Sequence, residues 1–146
     1  MVRGSCLCGA VAFELDPAGV VASVGCYCAN CRKVSGSEGG VYLQVRRAEF
    51  RWTAGDPDIA TYESSPGNLR GFCRKCGCVA PIATAYGAVR VPAGALDEDP
   101  GVTPTVTLFA PRRARWCDPG AAEVRFDETG PPQFWGEMIM RLHAPR

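Results

Sequence analysis

The sequence is short of several things, and each shortage narrows what the chain can be. It has one histidine in 146 residues, His143, which reads as a surface residue. No stretch approaches ~18 uninterrupted apolar residues, which argues against a membrane-spanning helix. The opening Met1-Val2-Arg3-Gly4-Ser5-Cys6 has no apolar run of signal-peptide length, so the chain is expected to stay in a reducing, cytoplasmic compartment. Neither sign of charge is in excess: sixteen Lys and Arg against fifteen Asp and Glu leave a net +1. Bulk electrostatics therefore draws it to neither nucleic acid nor membrane, and no basic tail suits microtubules or chromatin. Helical periodicity is poor, with short exceptions at 29–34 and 134–142. Repeats, linkers and low-complexity tracts are absent, so a single domain over 1–146 is expected, as a monomer or homodimer.

Turn formers are plentiful. Seventeen glycines and twelve prolines are scattered along the whole chain. Between them lie short alternating or β-branched runs at 10–15, 20–24, 40–45, 59–62, 69–72, 89–91, 105–109 and 123–126. In the first, Val11, Phe13 and Leu15 share one face and Ala10, Ala12 and Glu14 the other. Short strands with dense turn signals predict a mostly-β domain of antiparallel sheets with little helix. The Pro/Gly-rich stretch 92–104 reads as a long loop within the domain. Trp52, Phe72, Trp116 and Trp135 read as packing residues.

Cysteine is the other excess, at nine residues. An odd number cannot pair fully, and a reducing compartment disfavours disulfides. The spacings are those of chelates: Cys6-x-Cys8, Cys26-x-Cys28-x-x-Cys31 and Cys73-x-x-Cys76. Zinc held by thiolates takes four ligands at tetrahedral corners, and no single cluster supplies four. Cys73-Arg74-Lys75-Cys76-Gly77 has the form of a zinc knuckle, with glycine free to take the left-handed turn conformation. Cys6 and Cys8, projecting from an extended segment, can complete its shell about sixty-five residues away, closing a long loop. That site would be structural. Cys26, Cys28 and Cys31 remain, and three thiolates leave an open position, the ligand count of a reactive zinc. Cys78 or Cys117 could instead close this second site, or one zinc could draw a different four of the nine.

In these motifs the sequence resembles the glutathione-dependent formaldehyde-activating enzyme family, to which the centromere protein V type also belongs. The matching stretches are Gly4-Ser-Cys-Leu-Cys-Gly-Ala-Val11, Cys26-Tyr-Cys-Ala-Asn-Cys-Arg-Lys-Val-Ser-Gly36, Tyr62-Glu-Ser-Ser65 and Gly67-Asn-Leu-Arg-Gly-Phe-Cys-Arg-Lys-Cys-Gly77, with Gly94-Ala-Leu-Asp97 and Arg113-Ala-Arg-Trp116 further on. The likeness runs in order from about residue 3 to 117, with the rest as a C-terminal extension packed on it. It implies a β-tent fold, a structural zinc on Cys6, Cys8, Cys73 and Cys76, and a second zinc at Cys26, Cys28 and Cys31. It also implies addition of glutathione to formaldehyde, formally a carbon–sulfur lyase reaction read backwards. Three positions depart from the common pattern: Tyr27 and Thr107 stand where histidine is frequent, and Cys78 where Ser or Thr is.

The chemistry expected of the second cluster is proximity: a thiol deprotonated beside Cys26, Cys28 and Cys31 meets an aldehyde. The two carboxylates of glutathione need donors, for which Arg32, Lys33, Arg70 and Arg74 are candidates. Ser35-Gly36, Ser64-Ser65 and Gly67 could add hydroxyl or backbone donors. A non-catalytic zinc scaffold for a partner molecule and a metal buffer are the competing readings.

Overall fold

The computed structural model describes residues 1–103, 105–117 and 131–133. The chain divides into two compact units, Met1–Ala114 and Arg115–Arg146. In the second, Arg115–Cys117 form a single 3-10 turn. Trp116 there is 71% exposed, so it is not the packing residue expected; large apolar side chains are not confined to interiors. The expected run 123–126, the expected helix 134–142, Trp135 and His143 lie outside the described residues.

The first unit is built from three small sheets. Strands β1 (Val2–Ser5), β2 (Ala12–Leu15) and β5 (Phe50–Ala54) form one, in the order β1-β2-β5. Strands β3 (Val20–Cys26), β4 (Gly40–Arg46), β9 (Ile82–Ala83), β10 (Ala88–Pro92) and β11 (Val106–Leu108) form the second, in the order β11-β3-β4-β10-β9. The third is β6 (Ile59–Ser65), β7 (Asn68–Cys73) and β8 (Val79–Ala80). The one α-helix within Met1–Ala114, α1 (Ala29–Ser35), links β3 to β4. The mostly-β expectation holds, and nearly all pairs are antiparallel.

Alternation in the sequence decides which face is buried. Val11, Phe13 and Leu15 are sealed from solvent, as their spacing predicts. Phe13 and Leu15 join Val2, Leu43, Val45, Phe50, Val89 and Val91 in the main core, where each fully buried aliphatic or aromatic side chain contributes roughly 1.5–3 kcal/mol. Trp52 packs edge-on against Phe13 and Phe50, with ring centroids 6.0 and 5.0 Å away.

One pair departs from the antiparallel rule. Strand β11 runs parallel to β3, with Val106 opposite Val24 and Leu108 opposite Cys26. The Thr105 hydroxyl anchors the return by accepting from Ser23 N and donating to Ser23 O, both at 3.0 Å. Parallel pairing needs a long crossover, which the whole chain between β3 and β11 supplies. Its effect is to lay residues 106–109 alongside the end of β3, where Cys26 sits.

Candidate functional site

Two groups of cysteine sulfurs converge in the first unit. Cys6, Cys8, Cys73 and Cys76 form one and Cys26, Cys28 and Cys31 the other, with the ligand atoms of each group all within 4.8 Å of one another. The partition expected from ligand counting is the one observed.

The four-cysteine group is clamped by two turns. Cys73 ends β7 and Gly77 N donates to Cys73 O at 2.8 Å, with Gly77 at φ +73°, a left-handed conformation that a Cβ would penalise. The other pair also lies on a turn: Gly9 N donates to Cys6 O at 2.9 Å. This corrects the expectation of an extended Cys6–Cys8 segment. The sulfurs of Cys6 and Cys8 lie 3.5 Å apart because the chain folds back, not because alternate residues share a face. Backbone N–H groups aim inward: Val11 N reaches Cys6 Sγ at 3.3 Å. Those of Cys78 and Cys8 lower Cys76 to about 6. Cys8 receives the Ala10 N–H, yet the sulfurs of Cys6 and Cys76 push it up to about 11.

The three-cysteine group assembles where β3 gives way to α1. Cys26 is the last residue of β3, Cys28 caps the helix, and Cys31 lies buried in its first turn. Cys31 N donates to Cys28 Sγ at 3.4 Å, so capping the helix aims that sulfur at the cluster. Gly36, left-handed at φ +62°, ends the helix. Burial, followed by the neighbouring sulfurs of Cys31 and Cys28, pushes Cys26 up to about 12. Burial also opposes ionisation of Cys28, but N–H donation from Cys31 and the adjoining thiols bring it below the ordinary thiol range.

In both groups some of the sulfurs, Cys6 and Cys76 in one and Cys28 in the other, are favoured as thiolates while a neighbour is pressed to stay protonated. Like charges this close cannot all ionise unaided, whereas a thiophilic dication lets every member ionise together. The donor sets therefore fit zinc, with four sulfurs filling a tetrahedron and three leaving a corner. Within Met1–Ala114 no fourth His, Cys, Asp or Glu joins the three. Cys78 packs instead against the Cys6, Val11 and Cys73 cluster, and its carbonyl accepts from Cys73 N at 2.8 Å. Cys117 belongs to the second unit.

The surroundings of the two groups differ. Val11, Trp52 and Ile59 pack around the four-cysteine group. The three-cysteine group forms part of the wall of a cavity of about 490 Å³ shared with Tyr42, Asn68, Arg70, Arg90, Leu108 and Phe109. Arg70 is 8% exposed. Its Nε donates to Ser64 Oγ at 3.0 Å and its Nη2 approaches Cys31 Sγ at 3.8 Å. Arg90 Nη1 donates to Asn68 Oδ1 at 2.8 Å, and its Nη2 donates to the Leu69 carbonyl. Both guanidiniums sit near the ring of Tyr42, at 5.9 and 5.7 Å from its centroid. Burial first, then charge at Cys31, pushes the Tyr42 phenol up to about 12, which keeps it protonated. Among the described residues, no Asp or Glu lines this cavity.

Of the four candidate cations, Arg70 enters the cavity. Arg32 and Lys33 lie on α1 and Arg74 in the knuckle turn, and none of the three lines it. The expected hydroxyl and backbone donors serve the protein itself. Ser64 Oγ orients Arg70, Ser35 Oγ donates to Cys31 O at 2.8 Å, and Gly67 N donates to Glu63 at 2.7 Å. Tyr42, Asn68, Arg90 and Phe109 were not singled out in the sequence. Phe109 is the one non-glycine residue with positive φ among those described, at +56°, a conformation that costs of order 1–3 kcal/mol and tends to mark functional sites.

Residues 1–112 match the family described as glutathione-dependent formaldehyde-activating enzyme. A solved Rhodobacter sphaeroides protein, a structural-genomics target, aligns with a TM-score of 0.55 at 22% identity, covering 73% of this chain and 98% of that one. At that identity the likeness speaks for the fold alone. No curated protein matches the chain.

Proposed function

Because the chain belongs to the glutathione-dependent formaldehyde-activating enzyme family, we propose that it joins a small thiol, glutathione or a close analogue, to formaldehyde or a similar aldehyde at the three-cysteine cluster. The observation that carries this reading is the contrast between the clusters. Cys6 and Cys73 of the first are packed with Val11, Trp52 and Ile59 while Cys8 is exposed at the surface; the second lines a cavity with two arginines and, among the described residues, no carboxylate.

In this reading the thiol sulfur attacks the aldehyde carbon. A carbon–sulfur bond forms, the carbonyl π bond breaks, and the proton lost by the thiol ends on the new hydroxyl oxygen. Cys26, Cys28 and Cys31 would hold a zinc ion, which would supply Lewis acidity to raise the thiolate fraction of an incoming thiol. The chain's own residues bind and orient. Arg70 and Arg90 make the cavity attractive to an anionic thiol, in surroundings where an ion pair counts for more than it does in water. Tyr42, protonated and buried in the same wall, is a hydrogen-bond donor for the oxygen as charge develops on it. Arg32, Lys33 and Arg74, being outside the cavity, have no part in this binding. The aldehyde is small enough to need no pocket of its own, and thiols add to it readily, so holding the partners together is sufficient catalysis.

The test is exchange NMR on labelled formaldehyde and glutathione with zinc-loaded protein. The proposal expects S-hydroxymethylglutathione to form faster than in buffer and Cys28→Ser to abolish the gain. A rate equal to that in buffer for the wild type would leave the cluster a scaffold.

A further inference from the structure

The two cavity arginines differ in what they face. Arg70 has its Nη2 toward the Cys31 sulfur, an anionic partner whenever a metal holds that sulfur as thiolate, and its Nε on Ser64. Arg90 sits by the neutral Tyr42 ring and donates to neutral oxygens, those of the Asn68 amide and the Leu69 carbonyl. None of the ion pairs among the described residues involves it. Neutral acceptors position a guanidinium without cancelling its charge, and three of its five N–H groups make no hydrogen bond among the described residues.

Its location adds to this. Besides the cysteine cavity, Arg90, Asn68 and Tyr86 line a second cavity of about 620 Å³ with Gly67, Ala83 and Thr84. Arg90 therefore stands where two cavities adjoin, one ending at the sulfurs and the other, among the described residues, lined by no acidic side chain. Tyr86 is tied to Gln44 by a 3.0 Å hydrogen bond across the same boundary.

From this we infer that Arg90 is the specificity-determining residue of the site: it selects thiols carrying a carboxylate several atoms from the sulfur and directs the remainder of the molecule into the second cavity. The inference rests on the thiol-binding reading above and divides labour within it. Arg70 serves the cysteine cluster and Arg90 serves the ligand. A bidentate guanidinium–carboxylate contact in a half-buried site is selective because a neutral analogue leaves the guanidinium unanswered. A lysine cannot replace it fully, since it keeps the charge and loses the fork.

The experiment is calorimetric titration of zinc-loaded wild type, Arg90→Lys and Arg90→Met with three probes. Glutathione has thiol and carboxylates; its diethyl ester keeps the thiol alone; S-methylglutathione keeps the carboxylates alone. Zinc content and melting temperature confirm that each variant is intact. The wild type should bind glutathione roughly ten- to a hundred-fold more tightly than the ester. Arg90→Met should erase that preference, and Arg90→Lys should retain part of it. Equal binding of acid and ester by the wild type, or an undiminished preference in Arg90→Met, overturns the assignment. The middle case is informative too. Arg90-dependent binding of S-methylglutathione without any addition to formaldehyde keeps the assignment and removes the reaction, whereas thiol addition indifferent to Arg90→Met does the reverse. If no probe binds, both fall.

Discussion

The guanidinium of Arg70 lies 3.8 Å from the sulfur of Cys31, although the two are 39 positions apart in the chain. The contact is buried and joins β7 of the third sheet to α1. Donors to a metal-ligating sulfur tune its affinity for the metal. Replacing Arg70 by Met should weaken zinc at the three-cysteine site by about ten- to a hundred-fold, with the four-cysteine site unchanged. Lysine should recover part of the loss. Competition against a chromophoric chelator reads this directly, and an unaltered affinity in Arg70→Met would separate the contact from metal binding.

Tyr42 carries the ring near which both arginines sit. It is buried beside Cys26 and Cys31, so truncation to alanine should cost roughly 3 kcal/mol in urea unfolding. Phenylalanine keeps the ring and should stay within about 1 kcal/mol of wild type while slowing thiol addition, since the donor hydroxyl is gone. An equally fast Tyr42→Phe variant would remove the hydroxyl from the mechanism.

Glycine matters unequally at two turns. A Cβ at Gly55, where φ is +72°, would fall 1.9 Å from the Ala10 carbonyl oxygen, whereas at Gly36, φ +62°, nothing lies within 4 Å. Gly36→Ala should therefore cost about 1 kcal/mol, from backbone conformation alone. Gly55→Ala should cost more, roughly 2–4 kcal/mol, because the neighbour is backbone and cannot swing away. Ala10 follows the Cys6–Cys8 turn, so zinc loss from the four-cysteine site should accompany the damage at Gly55. Melting curves with and without added zinc measure both effects. Equal costs at the two positions would show that the Ala10 backbone yields.

Parts of the molecule that depend on near neighbours were legible in the sequence. Chelate spacings and the turn glycine Gly77 point to both cysteine groups, and alternation at Val11, Phe13 and Leu15 marks the buried face of β2 and the residue before it. What depends on pairing between distant strands was not legible. Arg90 sits between Val89 and Val91, both fully buried, so a charged residue opposite a core face was the available signal. Nothing local, however, says that β10 lies against β4 with Arg90 opposite Gln44, which brings it near Tyr42. The parallel return of β11 was hidden for the same reason. The run 105–109 reads as a strand, but its partner and direction depend on the crossover and not on its own residues.

The central claim is that four sulfurs close one metal site and three leave the other open. Zinc stoichiometry of the wild type beside Cys76→Ser and Cys28→Ser tests it most directly, with circular dichroism to follow folding. The account expects two ions per wild-type chain, one ion in a Cys28→Ser chain that stays folded, and an unfolded or aggregated Cys76→Ser chain. Two variants that lose metal and structure alike would contradict it.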